Sequence, residues 1–236
     1  MDKDIHLRFI FIKMLRRAFP NITNVVKYIV LLNLLVFALG MYFETTQQLD
    51  LASIGGLHYY ALPGFQWYQI FTCIFLHGGF MHLLMNMITL ISLGSVLEQM
   101  YGPKRFLIFY LLCGIFSSII SLIFQGVDVF TYTGSYFPAI VDLNEIPPKV
   151  LSISVGASGA IYGVFTAIAM TNPNAAFYIF FIPFPIKAKN LLIGLICLEF
   201  FLGVSHFEWD FFGHWAHLGG AATGMVLASI YARRRF

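Results

Sequence analysis

Six long apolar stretches constrain this chain more than any other feature. They cover about residues 25–42, 79–100, 106–124, 152–171, 190–204 and 212–231. Each is close to the ~20 residues a helix needs to cross about 30 Å of hydrocarbon. In lipid the backbone must satisfy its own hydrogen bonds, so such stretches read as helices. A β-barrel does not fit, because the apolar runs are continuous rather than alternating. Composition agrees: 59% of the residues are hydrophobic and 11% charged, against about 25% charged in soluble domains. The expected fold is all-α, a polytopic membrane bundle of six transmembrane helices. The apolar segment 67–76 fits either an extension of the second span or a loop dipping into the interface.

Charge placement orients the bundle. Lys13, Arg16 and Arg17 precede the first span, and Lys104 and Arg105 separate the second from the third. Lys187 and Lys189 separate the fourth from the fifth, and Arg233, Arg234 and Arg235 follow the sixth. The alternate connections carry Glu44 and Asp50, then Asp128, Asp142 and Glu145 with Lys149, then Glu208 and Asp210. Basic loops face the cytoplasm, so both termini are expected there. Residues 1–24 form a cytoplasmic segment in which 5–19 read either as a basic interfacial helix or as a solvated tail. Residues 25–232 form the membrane domain, and 233–236 a basic cytoplasmic tail. A cleaved leader is disfavoured by the length of the segment before Val25. Cys73, Cys113 and Cys197 lie in apolar runs and read as small core residues.

The second, fourth and sixth spans all begin on the outer side, and each has its notable polar residues in its first turns. His82 and Asn86 lie in the second, Ser158 in the fourth and His217 in the sixth. At 1.5 Å per residue these sit roughly 5–10 Å below the outer surface, which points to one shared site. His82 and Asn86 are i and i+4, as are Ser158 and Tyr162, so each pair shares a helix face. Gly159 with Gly163, and Gly220 with Gly224, are spaced to let two helices approach closely. A serine and histidine in hydrogen-bond reach would need such an approach.

Three motifs in order, His82-x-x-x-Asn86, Gly156-x-Ser158-Gly159 and Ala216-His217-x-x-Gly220, resemble those of the rhomboid intramembrane serine proteases. The resemblance covers nearly the whole chain and implies the six-span type found in prokaryotes. It implies that Ser158 is the nucleophile and His217 the base of a dyad. It implies that His82 and Asn86, with the Ser158 N–H, form an oxyanion hole. Tyr162 would pack on the His217 ring, and Gly156 would keep the entrance of the fourth span narrow. Gly159 supports the site, while Gly163, Gly220 and Gly224 set helix contact. A dyad with no acid is expected, because no Asp or Glu is read at the right depth in any span.

Each residue also has a plainer reading. Ser158 could be a small packing residue, Asn86 an interhelical bond and Tyr162 a core aromatic. His77, His82, His214 and His217 could suggest a metal site, but no carboxylate or thiol lies at ligand spacing nearby, so neither metal nor other cofactor is expected. His77 and His214 read as loop-stabilising residues and His58 as solvated. Where the family often has Trp-Arg in its first loop, this chain has Trp67-Tyr68, which puts the loop's polar anchoring in doubt. Ser117, Ser121 and Gln125 form a stripe that could hold water or bond between helices. Glu98 reads as a structural residue bonded to loop backbone.

The expected function is hydrolysis of a peptide bond within or beside a transmembrane segment of another protein, through an acyl-enzyme. Partners would be membrane-protein substrates and lipid, with no nucleic acid; the location would be a bacterial plasma membrane, with the site opening outward. Two rival classes are a client-binding pseudoprotease and a small transporter. The first is opposed by the presence of Ser158 and His217, the second because neither charged residues inside the spans nor paired broken helices in corresponding halves are visible.

Overall fold

The computed structural model describes residues 22–46, 49–138, 146–148, 150–178, 183–205, 207 and 213–233. The basic segment 5–19, Arg234, Arg235, and the loop charges Asp142, Glu145, Lys149, Glu208 and Asp210 lie outside them. Helix α1 spans Asn24–Thr46. A loop follows with two short helices, α2 (Leu51–Gly55) and α3 (Gln69–Thr72), and a 3₁₀ turn at Cys73–Phe75. Helix α4 (Phe80–Thr89) continues through a π-turn at Leu90–Gly94 into α5 (Ser95–Tyr101). Helix α6 spans Pro103–Thr133, α7 Ser158–Thr171, α8 Ala188–Ser205 and α9 His214–Arg233. A two-residue hairpin, β1 (Ala176–Phe177) with β2 (Ile186–Lys187), joins α7 to α8, pairing Ala176 with Lys187 and Phe177 with Ile186.

The segment 67–76 belongs to the loop. Gly78 and Gly79 separate it from α4, so it does not lengthen the second span. Helix α6 opens on Pro103 at its first position, where the missing N–H is harmless. It ends at Thr133, nine residues later than the apolar pattern suggested, and Gly134 in the left-handed conformation closes it. Among the described residues four helical runs are long and apolar enough to cross a membrane: Asn24–Thr46, Phe80–Tyr101, Pro103–Thr133 and Ala188–Ser205. Helix α7 is apolar but only 14 residues long, and α9 is longer but carries two histidines and several glycines.

The fourth span begins later than its sequence suggests. Residues 152–157 are not helical. Ser154 pairs with Leu57 through both backbone bonds (2.9 and 3.0 Å), and the Gly156 N–H donates to the Cys73 carbonyl at 2.9 Å. Gly156 has φ +135°, a conformation L side chains rarely adopt, and the helix starts two residues on. Extended chain clamped to the first loop thus delivers Ser158 as the first residue of α7.

Helix α7 is buried on all sides, from Gly159 and Ala160 to Ile168 and Ala169, and packs against α6, α8 and α9. Its contact with α9 is backbone to backbone. A Cβ at Gly220 would lie 1.9 Å from the Gly159 carbonyl oxygen, and one at Gly224 2.5 Å from that of Gly163. The same face of α7 meets α6, where a Cβ at Gly159 would strike Ser117 and one at Gly163 would strike Cys113. Leu31 and Leu35 of α1 and Phe200 and Phe201 of α8 are exposed, as lipid-facing side chains would be. Cys73 and Cys113 are buried, whereas Cys197 is exposed on α8 and is not the core residue expected.

Candidate active site

Ser158 Oγ lies 2.8 Å from His217 Nε2. The two residues come from different helices and share no local sequence; the glycine contact between α7 and α9 brings them together. Ser158 opens α7, and His217 lies in the first turn of α9, where its N–H donates to the Gly213 carbonyl. The His217 ring stacks on Tyr162, with centroids 4.4 Å apart and planes 10° apart. Because Ser158, Gly159 and Ala160 are the first residues of a helix, their N–H groups have no partner four residues back. That helix end is a site for negative charge.

A cavity of about 770 Å³ opens over these residues, and Ser158, His217, His82, His214, Ser117 and Gln125 are in its wall. His82 comes close because Gly156 has no side chain: a Cβ there would lie 2.8 Å from the His82 ring. Gly156 therefore makes room for His82, a narrower role than shaping the entrance of the span. Asn86 is buried one turn along α4, is not in the cavity wall, and its Nδ2 donor has no partner. The His77 ring meets His82 edge to face, 5.1 Å between centroids. Burial, with the neighbouring His82 second, pushes His77 down to about 4, so it stays neutral beside the site.

Of the stripe on α6, Ser117 makes the interhelical bond considered for it, to α9, while Gln125 bonds to the loop that precedes α7. Ser117 donates to the Ala216 carbonyl at 2.8 Å and Gln125 to the Val150 carbonyl at 2.5 Å, while both, with Ser121, line the cavity. His58 is half-buried, with its Nε2 2.8 Å from the Ser53 carbonyl oxygen, rather than simply solvated. The first loop is anchored by a residue that the motifs do not include. Gln69 is 1% exposed; its amide donates to the Ile54 and Gly64 carbonyls, both at 3.0 Å, and its oxygen accepts from the Gln66 N–H. Trp67 is exposed and Tyr68 makes only a long contact to Ile54, so Gln69 supplies the polar anchoring.

The largest correction concerns acid. Glu199 of α8 is buried beside His217, at the depth where no carboxylate was expected. Its Oε1 lies 3.0 Å from His217 Nδ1, off the line of a hydrogen bond, and accepts from the Tyr162 hydroxyl. Its Oε2 lies 2.5 Å from Nδ1 of His214, which is buried at the start of α9 and is not a loop residue at the surface. The signal was a lone carboxylate inside an apolar run, which marks a functional site by default. Glu199 lies six residues before the end of α8, roughly 9 Å along the helix from Ser205. Glu199, His214 and His217 hold ligand-type atoms within 4.8 Å of one another. Donors about 2 Å from a shared ion would stand further apart than 2.5 Å, so the spacing is that of groups sharing protons.

The Rhomboid domain family matches residues 64–234 of this chain. The chain belongs to the rhomboid family. It is an integral multi-pass membrane protein of that fold. It is similar to Rhomboid protease GluP of Bacillus subtilis, at 30% identity over 86% of this chain and 33% of that protein. It is also similar to RHOMBOID-like protein 1 of Arabidopsis thaliana, at 30% over 71% of this chain and 35% of the relative. The human Presenilin-associated rhomboid-like protein, mitochondrial, is 32% identical over 64% of this chain and 34% of its own. This rhomboid chain thus spans about a third of the length of the curated relatives it matches. Its domain match includes the first loop from residue 64 on, both histidine-bearing helix starts and the Ser158 segment.

Proposed function

We propose that this protein is an intramembrane serine protease. The observation that carries the reading is the 2.8 Å approach of Ser158 Oγ to His217 Nε2 in the wall of a cavity between apolar helices. Ser158 attacks the scissile carbonyl while its proton passes to His217 Nε2, which later delivers it to the leaving amine. Water then cleaves the acyl-enzyme by the same exchange in reverse. The carbonyl oxygen becomes negative at the N-terminus of α7, where the Ser158 N–H faces it. The His82 ring and the unpaired Asn86 amide are the further donors, and each such donor is worth about 100- to 1,000-fold in rate. Tyr162 fixes the plane of the His217 ring, and Ser117, Ser121 and Gln125 keep the cavity wet enough for hydrolysis.

The substrate is a transmembrane segment of another protein. A helix hides its scissile carbonyl in hydrogen bonds, so the cut falls near helix-weakening residues and after a small side chain. It enters sideways past α8, whose Leu198, Phe200, Phe201 and Val204 face outward. The basic loops orient six spans with both termini in the cytoplasm of a bacterium and the cavity opening to the outer face.

The test is cleavage of a single-span reporter in liposomes by the wild type and Ser158→Ala. Cleavage by the wild type alone is expected, with the serine labelled by a fluorophosphonate. Equal cleavage by both, or a wild type that neither cleaves nor labels, overturns the reading. Photo-cross-links from the reporter should map to α8; confinement to α1 and α6 would sink the proposed path.

A further inference from the structure

We propose that Glu199 is the positioning acid of this site, turning the Ser158–His217 pair into a three-membered relay. The proposal rests on the protease reading above and goes beyond a dyad.

A carboxylate inside an apolar helix needs a reason, because burying an unpaired charge is expensive. Here the two oxygens of Glu199 are fully used. Oε1 accepts from the Tyr162 hydroxyl and lies 3.0 Å from His217 Nδ1; Oε2 is 2.5 Å from His214 Nδ1. Three side chains from two helices, α7 and α9, converge on one acid supplied by a third, α8. Besides Tyr162 and His214, the described residues place His82 of α4 in this region, on the side of Ser158, where both face Gly156.

Chemistry gives this arrangement a direction. For Nε2 to accept the Ser158 proton, His217 must carry its own proton on Nδ1. A carboxylate charge 3.0 Å from Nδ1, although off the hydrogen-bond line, favours a proton on Nδ1 over a lone pair there. When Nε2 takes the serine proton the ring becomes cationic, and the Glu199 charge is already beside it, in a place where little water can do the same work. No proton needs to reach Glu199. Tyr162 has two tasks through this acid: its ring stacks on His217 while its hydroxyl holds Oε1 toward Nδ1. His214 holds the other oxygen, so the carboxylate cannot rotate away.

The experiment compares wild type, Ser158→Ala, Glu199→Gln and Glu199→Asp in the liposome reporter assay, with thermal stability measured in detergent for each. Glu199→Gln is expected to lose about 100-fold or more in kcat with KM within about twofold, as tautomer control lost elsewhere costs up to ~10⁴-fold. Glu199→Asp, a shorter acid, should recover part of that loss. A Gln variant that cleaves within about twofold of wild type overturns the proposal. So does an Asp variant no better than Gln at equal melting temperature, since a packing role would not distinguish acid from amide. If Glu199→Gln does not fold, the Asp variant decides alone: lowered kcat at wild-type stability supports the relay, and unchanged kcat refutes it. A wild type indistinguishable from Ser158→Ala would instead refute the protease reading itself.

Discussion

A single absent methyl group sets how closely His82 approaches Ser158. Gly156 has φ +135°, and its missing Cβ leaves the His82 ring the space it occupies. Gly156→Ala therefore meets two obstacles, a backbone strained by about 1–3 kcal/mol and a contact of 2.8 Å that His82 must escape. The added Cβ would stand 3.6 Å from Ser158 Oγ, an ordinary van der Waals contact. Turnover is expected to slow about tenfold or more, reflecting a displaced oxyanion donor, with fluorophosphonate labelling slowed less than peptide cleavage. An alanine variant that turns over like wild type would show that His82 has no part in the reaction. Gly156 was legible in the sequence as part of the Gly156-x-Ser158-Gly159 motif, but its task was not, because a positive φ and the identity of the facing side chain are set by the loop it crosses.

The elements of this protein divide into those that bring Ser158 and His217 together and those that surround them. Helices α7 and α9 carry Ser158 and His217, and their backbones touch through Gly159, Gly163, Gly220 and Gly224. A methyl at Gly220 would stand 1.9 Å from the Gly159 carbonyl oxygen, so the helices must part by about 1 Å to admit it. Such a displacement at the site can cost about 100-fold in rate. Gly220→Ala should therefore lose about that much kcat and some stability, whereas Gly194→Ala, on α8 with nothing within 4 Å of its Cβ, should change neither. Equal activity of the two variants would refute helix distance as the control. This contact could be read in advance, because small residues four apart in apolar runs have one common use. The start of α7 could not: the strand-like clamp of Ser154 to Leu57 replaces the first six residues of the apolar run, and pairing between distant segments leaves no periodic trace. Glu199 was missed for a different reason. One carboxylate disappears in the average of an 18-residue apolar helix, and the dyad expectation offered it no role. Gln69 was missed because a loop glutamine is unremarkable until its amide is found satisfied on both sides.

Among the described residues two glutamates are buried, and the proposed reading gives one to stability and the other to reaction. Glu199 sits in the cavity region with the histidines. Glu98, near the end of α5 and 5% exposed, lies at the other end of the bundle and caps the first helix. Its oxygens accept from the Val25 and Val26 N–H groups at 3.1 and 3.0 Å and from the Thr23 hydroxyl. These are the open donors of the α1 N-terminus, where a negative charge is also favoured by the helix dipole. The partner is thus a helix start rather than loop backbone. It ties α1, which otherwise exposes much of its surface, to the rest of the bundle. Glu98→Ala would leave the Val25 and Val26 donors without that acceptor, at a cost of about 1–3 kcal/mol. The expected outcome is a melting temperature lower by several degrees, with turnover per folded molecule unchanged, because no atom of Glu98 reaches the cavity. Glu199→Gln should show the opposite pattern, lost kcat with a smaller change in melting. Thermal scans and single-turnover cleavage on the same two preparations separate the cases. A Glu98 variant that melts like wild type would refute the capping role, and one that lost kcat at unchanged stability would show that the two ends of the bundle are coupled through α1 and α4.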